Sequence, residues 1–484
     1  MDELEREIGK YKLDELLFII AEISRKLFIQ NKSITSVIWK YVTYRKSQYL
    51  TVWDLAEISY RAILNSNDYR PIHPKERDIY KLNNLYIKNW NQETRIELQK
   101  IPANDKELSI FWGLSQKQLW WQQLDIINWF LRYYILLWKI PPKCNESKLP
   151  NDDLIEVTGF DIKNFSQLLL ALFAYNQSSS EIKILIEDDL KKRIPIINEF
   201  NIEKCLNNFV GDYYYYRRPN QLNNPLFFKP IIKTQTNKLI ISNAFIWARK
   251  FYEGIYWIIR NKYYNANLEQ FIINFGEYYE RYAQEVLEYY LKPQQYKKIE
   301  TIENEKSADW IINTEKYILI IEQKSTLMTI SLKKEYPDLY KLEEYLEKFK
   351  NAYIQIDRTI KAIRKTDKTT IKLILHFEKL YIADSLLKKR VIQLCQKDPN
   401  SIISDFSHYF FIDTEEFEKL IQILADDEEI FNKIIDKKIE YENHSTSSDD
   451  ITFEGVIEKF VKIDNIRYLD SHKYLFDELL GKES

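Results

Sequence analysis

The 484-residue sequence has little glycine and little cysteine, with 8 and 3 residues respectively. Few glycines leave few of the tight turns that cradle phosphate groups, and they favour long helices. Cys144, Cys205 and Cys395 lie too far apart along the chain for the spacing of a zinc site or a disulfide framework. We expect them to be buried thiols in a reducing compartment.

An excess of charge of one sign is also lacking, since 70 Lys and Arg face 72 Asp and Glu for a net charge of -2. This excludes a polycation that binds nucleic acid through its net charge, so any such binding needs a local patch. The longest apolar stretches, such as residues 168–175, fall short of the ~18 residues of a membrane span. The acidic N-terminus has no signal-peptide pattern. We therefore expect a soluble, cytoplasmic protein with no membrane partner.

Aromatic residues are abundant and make up 15% of the chain. The first 200 residues combine them with apolar residues at helical spacing, as in the segment that begins at Leu13, and a long helix is predicted over 119–140, before Pro141. We interpret the aromatic stripes as core, with base-stacking platforms as the alternative. The N-terminal half is thus predicted to be mostly α-helical.

The pattern changes in the second half, where apolar runs of strand length alternate with helices. Gly276 opens a helical run, and strands are predicted at 296–301, 307–313, 317–321 running on to 324, 371–375 and 407–412. A helix with an imperfect capping box is expected from Thr414. This order predicts an α/β domain with a mixed sheet flanked by helices. His376 lies in one apolar run and is expected to be a core residue.

Three charged residues stand where two of these strands meet. Side chains alternate along a strand, so Glu322 and Lys324 point the same way, and a short turn can bring Asp309 of the preceding strand beside them. Two adjacent carboxylates repel each other unless a hard cation such as Mg²⁺ lies between them. The backbone carbonyl of Gln323 can complete its ligands, and Lys324 can orient or deprotonate the attacking water. The set suits Mg²⁺-assisted phosphodiester hydrolysis, with Mn²⁺ as a substitute cation.

The tripeptide pattern alone is weak evidence, because the same acid-x-Lys spacing recurs elsewhere, for example at Asp436 and Lys438. Those copies do not follow a comparable apolar strand. The alternative interpretation of Glu322 and Lys324 is a salt-bridged strand end without catalytic function. The upstream helix offers Glu280 to the site, with Glu277 as its rival, and the downstream helix offers Gln355.

These residues resemble the PD-(D/E)XK nuclease superfamily, which has the restriction-endonuclease-like fold. The resemblance covers about residues 271–380, and Ala308 stands where the family pattern has Pro. It implies that Asp309 and Glu322 hold the metal and that Lys324 serves the nucleophilic water. It further implies that Glu280 supports the metal or its water and that Gln355 positions a phosphate or the site.

The resemblance implies a nuclease, with DNA favoured over RNA as substrate. The expected organisation is a helical domain over 1–200, a nuclease-like domain over 201–442, and a polar linker with a helical tail over 443–484. Large prokaryotic proteins of this kind resemble anti-phage defence effectors, so the N-terminal half is expected to recognise a phage-derived trigger or another copy of the chain. The alternatives are a nuclease-like module that binds without cutting and an interaction scaffold. A basic patch for nucleic acid, with solvated helix faces as the alternative, is predicted at Lys333, Lys334, Lys350 and Arg358.

Overall fold

The computed structural model describes residues 2–30, 50–115, 125–144, 149–182, 188–218, 223–299, 301–302, 305–334, 337–363, 367–382, 384–398, 403, 405–443 and 452–481. Up to residue 206 the secondary-structure elements of this part are helices. They are α1 (Glu3–Ile8), α2 (Leu13–Gln30), α3 (Val52–Asn65), α4 (Glu76–Lys100), α5 (Ala103–Ser115), α6 (Ile126–Tyr134), α7 (Pro150–Thr158), α8 (Ile162–Ser178), α9 (Asp188–Arg193) and α10 (Glu199–Leu206). The prediction of a mainly helical N-terminal half is confirmed for these residues.

The helix predicted over 119–140 begins, within the described residues, at Ile126. Residues 116–124 lie outside the described part, and the α-helix gives way at Ile135 to a π-helical segment that ends at Lys139. A single 3₁₀ turn, Pro141–Lys143, then ends the run. Pro141 lacks the backbone N–H that would continue the helix, as the sequence indicated.

The remaining elements of the described part are strands and helices. They are β1 (Val210–Asp212), α11 (Tyr213–Tyr216), β2 (Ile231–Lys233), β3 (Leu239–Ile241), α12 (Ala244–Asn265), α13 (Gln270–Tyr290), β4 (Tyr296–Lys298), β5 (Trp310–Asn313), β6 (Tyr317–Lys324), α14 (Leu339–Ala362), β7 (Thr369–His376), α15 (Asp384–Lys397), β8 (Tyr409–Asp413), α16 (Thr414–Asp426), α17 (Glu428–Asn443), α18 (Phe453–Phe460), α19 (Arg467–Asp470) and α20 (Tyr474–Leu479). The mixed α/β class predicted for this half is confirmed.

Strands β4 to β8 form one five-stranded sheet in sequential order. The pairs β4–β5 and β5–β6 are antiparallel, whereas β6–β7 and β7–β8 are parallel. Each parallel pair needs a crossover, and α14 and α15 supply the two crossovers. Strand β6 is therefore the central strand, and its apolar residues are buried on both faces. Strands β1, β2 and β3 form a separate small sheet.

Two apolar cores lie on the two faces of the large sheet, and alternate residues of β6 point into each. Leu319 and Ile321 point into the first core, with α13 and α16, and Ile318 and Ile320 into the second, with α14 and α15. Both cores combine side chains from before and after residue 200. Trp112 of α5, for instance, is fully buried in the second core, and its Nε1–H donates to the Leu332 carbonyl at 2.8 Å.

Several local expectations need correction. Strand β5 begins at Trp310 and not at 307, and β4 ends at Lys298. The capping box of α16 is complete, but its N-cap is Asp413, whose side chain accepts from Glu416 N. The prediction that His376 is a core residue is confirmed, and burial lowers its pKa to about 4. Residues 444–451 of the predicted polar linker lie outside the described part.

Among the residues that the structure describes, no helix has both the length and the apolar character that crossing a membrane requires.

Candidate active site

Asp309 and Glu322 meet because β5 and β6 form an antiparallel hairpin. Trp310 pairs with Ile321, so the preceding Asp309 lies opposite Glu322 at the open end of the pair. Asp309 N donates to the Ile321 carbonyl at 3.0 Å, and Gln323 N donates to Asp309 Oδ2 at 2.6 Å. The second bond holds the Asp309 carboxylate against the end of β6. The sequence prediction that the two acids converge is confirmed.

Both carboxyl groups are held in an environment that opposes their ionisation. Burial, followed by the negative charge of Asp309, raises the pKa of Glu322 to about 8. Removal of water from its carboxylate, followed in smaller part by the charge of Glu280, raises the pKa of Asp309 to about 6. Glu322 Oε2 is buried and has no hydrogen-bond partner within the described residues. An acceptor oxygen in that position is costly unless a proton or a cation occupies it.

Lys324 lies on the same face as Glu322, as strand alternation requires. Its Nζ donates to Glu322 Oε1 at 2.5 Å and to Gln355 Oε1 at 2.8 Å. Gln355 of α14 in turn donates from Nε2 to the Ser307 carbonyl at 3.3 Å. Gln355 therefore links the ammonium of Lys324 to the segment that leads into Asp309. The Lys324 side chain is 17% exposed, so its ammonium keeps access to solvent.

Gln323 points to the opposite face of the sheet, toward α13. Its Oε1 accepts from Trp310 Nε1 at 2.7 Å, and its Nε2 donates to the Tyr279 carbonyl at 3.4 Å. These bonds fix the end of β6 to its hairpin partner and to a helix. The sequence predicts a role for the backbone carbonyl of Gln323 as a metal ligand, which stays a prediction, whereas the positioning by the side chain was missed. The Trp310 indole on the neighbouring strand was a signal for that second role.

The two candidate glutamates of α13 differ in their surroundings. Glu277 is exposed, whereas Glu280 is partly buried, forms an ion pair with Lys298 of β4, and acts electrostatically on Asp309. A Cβ placed on Gly276 would lie 3.4 Å from Ser325 Oγ, so this helix packs closely against the residues after β6. Of the pair, Glu280 is the one that the structure places beside the carboxylates.

The predicted basic patch needs correction. Lys333 is 2% exposed, and its Nζ donates to Glu378 Oε1 at 2.8 Å, because a buried ammonium needs a buried counter-charge. Lys350 Nζ lies 2.6 Å from Glu347 Oε2 and 3.2 Å from Asp398 Oδ2. Arg358 forms an ion pair with Glu305. Lys334 is partly buried, and this loss of water lowers its pKa. These cations are therefore not a shared exposed patch.

Asp309 and Glu322 are the residues that would hold a divalent cation at this strand end. Within the described residues, no group of three or more His, Cys, Asp and Glu side chains is arranged to hold a metal. Asp309 and Glu322 nevertheless offer two hard oxygen ligands, including the unpartnered Oε2 of Glu322. Mg²⁺ is commonly held by one or two carboxylates, with water completing its octahedral shell. The pair fits a cation of this type and does not fit zinc, for which closed sites use four ligands.

Comparisons with models of known families, with curated proteins and with solved structures found no match to this chain. The geometry of the strand end is therefore the basis for the function proposed below.

Proposed function

We propose that the chain is a Mg²⁺-dependent phosphodiesterase, a nuclease of the PD-(D/E)XK type. The observation that carries the proposal is the meeting of Asp309, Glu322 and Lys324 on one face at the end of β5 and β6, with one carboxylate oxygen left without a partner among the described residues. The order helix, three antiparallel strands, helix and parallel strand supports a restriction-endonuclease-like core.

Each residue of the set has a task in hydrolysis that its contacts suit. Asp309 and Glu322 supply the oxygens for a divalent cation, which when bound acidifies water and offsets charge on a phosphoryl group. Lys324, held by Gln355, orients the attacking water and stabilises negative charge as the phosphate becomes five-coordinate. Glu280 adds a third negative charge near Asp309. We propose DNA as the substrate, as the resemblance implies.

The experiment is cleavage of supercoiled plasmid and of labelled oligonucleotides with Mg²⁺ or Mn²⁺, compared with EDTA. Asp309→Asn, Glu322→Gln and Lys324→Met are expected to reduce cleavage by at least ~100-fold, since each removes a ligand or charge that acts in the transition state. Asp436→Asn is the matched control, because Asp436 belongs to the same acid-x-Lys pattern but pairs with Lys316 on the surface. Cleavage by Glu322→Gln at the wild-type rate would refute the proposal.

A second candidate is a nuclease-like module that binds nucleic acid without cutting it. The absence, within the described residues, of a metal-holding group with three acidic or imidazole ligands favours this candidate. Binding that persists in EDTA, together with intact substrate under every cation tested, would establish it over the nuclease.

A further inference from the structure

A cavity of about 790 Å³ opens next to the strand end that carries Lys324. Its walls are α12, the loop that follows β6 and the first half of α14, and its floor is formed by residues 208–209, 215 and 227–229. Cavities of this size hold small organic ligands or single monomers of a polymer, whereas a duplex is far larger. The charges and aromatic rings in its wall indicate which ligand fits.

Positive charge dominates the wall of the cavity. Among the described residues, two acids, Glu253 and Glu344, line it, against six cationic residues: Lys229, Lys250, Arg260, Lys333, Lys341 and Lys348. Lys250 is 9% exposed and makes no hydrogen bond or ion pair to any residue that the structure describes, and burial lowers its pKa. A buried ammonium of this kind is stabilised by an anion that enters the cavity.

Aromatic rings stand beside these cations with part of their surface open. Tyr264 is 68% exposed and Phe228 is 44% exposed, and Trp257 also lines the cavity. The guanidinium of Arg260 lies 5.6 Å from the centre of the Tyr264 ring. Rings interleaved with cations are the arrangement that binds unpaired nucleotides, because bases stack on the rings while phosphates contact the cations.

One face of α14 connects this cavity to the proposed active site. Gln355, which contacts Lys324, and Lys348, which lines the cavity, are two helical turns apart, about 10 Å along the axis. Lys348 Nζ donates to Thr326 Oγ1 at 3.1 Å, just beyond the end of β6. Loss of water, with the positive charges of Arg260 and Lys324, lowers the pKa of Lys348. At ~3.4 Å per nucleotide of a stacked strand, the path spans about three nucleotides.

We propose that the cavity binds an unpaired nucleotide of a single nucleic-acid strand whose scissile phosphate lies, a few nucleotides along, at Asp309 and Glu322. The inference rests on the proposed function and adds a substrate class to it: single strands, or strands with an unpaired stretch beside the cut. Lys250, Arg260 and Lys348 recognise the phosphates, whereas Lys333 and Lys341 are paired with Glu378 and Glu344. The partly exposed rings of Trp257 and Tyr264 recognise the base.

The test measures binding without cleavage, in EDTA, by the fluorescence anisotropy of a labelled oligonucleotide of about 12 nucleotides. The full-length wild type is compared with Lys250→Met, Lys348→Met and Tyr264→Ala. Lys433→Met is the matched control, because Lys433 lies on α17 outside the cavity and pairs with Glu429. Each cavity variant is expected to raise Kd about tenfold, as the loss of one charged contact or one stacked ring predicts. The control and wild type are expected to agree.

Three outcomes would overturn the inference. Equal Kd values for the cavity variants and Lys433→Met would show that the strand binds elsewhere. Tighter binding of the duplex of the same sequence than of the single strand would show that the protein binds base-paired nucleic acid and not an unpaired strand. Tighter binding of a free nucleotide than of the oligonucleotide, lost in Lys348→Met, would assign the cavity to a soluble nucleotide.

The same measurements separate this inference from the proposed nuclease. If the protein binds single strands through the cavity but never cleaves them, the cavity proposal is supported and the nuclease proposal is refuted. If the protein cleaves and the cavity variants bind as tightly as the wild type, the nuclease proposal is supported and the cavity proposal is refuted. Lys250→Met keeps the buried aliphatic stem, and a melting curve checks its fold. Lys348 and Tyr264 are exposed, so their variants decide the question if Lys250→Met does not fold.

Discussion

Glu322 should make the metal-free protein less stable as the pH rises, and Glu322→Gln should abolish that contribution. The carboxyl titrates at its ordinary value, 4.5, when the chain is unfolded and at about 8 when it is folded. Between pH 4.5 and pH 8 the folded state binds more protons than the unfolded state. The stabilising contribution of the Glu322 carboxyl is therefore complete below pH 4.5 and is lost as the pH rises through 8.

The size of this effect follows from the two pKa values. Between pH 5 and pH 8 the free energy of unfolding should fall by about 3.5 kcal/mol through Glu322 alone, at 1.36 kcal/mol per pKa unit. The entropy of unfolding is ~2.1 cal/mol/K per residue, so the melting temperature of 484 residues should fall by about 3 to 4 °C. The amide introduced by Glu322→Gln does not titrate, so the difference between the two proteins isolates the carboxyl group.

The assay is a set of thermal melts in EDTA from pH 5 to pH 8, with wild type, Glu322→Gln and the surface control Asp436→Asn. A divalent cation at the site should flatten the wild-type profile, because it replaces the proton that the carboxyl pair otherwise retains. Parallel pH profiles for wild type and Glu322→Gln in EDTA would refute the reasoning about the buried pair.

Three further predictions concern two buried ionisable groups and the contact between Gln355 and Lys324. Glu418→Gln should lower stability by about 3 to 5 kcal/mol in urea denaturation, because Arg132 and Glu418 are both fully buried and loss of the carboxylate leaves the guanidinium uncompensated. The wild type should lose about 3 kcal/mol of stability as the pH falls from 6.5 to 4, because the buried imidazole of His376 stays neutral in the folded state. His376→Gln should not show this loss, and identical acid melts of the two proteins would contradict the prediction. Gln355→Ala should reduce Mn²⁺-dependent cleavage about 10-fold or more by releasing Lys324, while Gln355→Glu, which keeps an acceptor, should retain more activity.

The strand end was predictable because it depends on local rules. Glu322 and Lys324 share a face through the two-residue period of a strand, and the short hairpin turn sets Asp309 opposite Glu322. The apolar run before Glu322 likewise indicates a buried strand. These relations need no knowledge of the rest of the molecule.

The remaining features depend on contacts that are remote in sequence. The charge of Lys333 is neutralised by Glu378, which follows α14 and β7 in the sequence. Because the two residues are far apart along the chain, the sequence offered no sign that Lys333 is buried. The cavity is built from four parts of the chain, and Lys250 lines it beside residues of the loop after β6. No function was assigned to its aromatic residues from the sequence, because the spacing of aromatic residues along a helix does not distinguish a core face from a ligand-facing surface.

The bond from the Trp112 indole to the Leu332 carbonyl has a consequence for engineering. Leu332 belongs to the loop that forms one wall of the cavity, so a helix from the first quarter of the chain holds that wall in place. Transplanting residues 271–380 into another scaffold would leave this loop without its anchor and would uncover apolar surface on both sides of the sheet. A functional graft would have to carry α5 along, or replace its indole with a donor of the same reach.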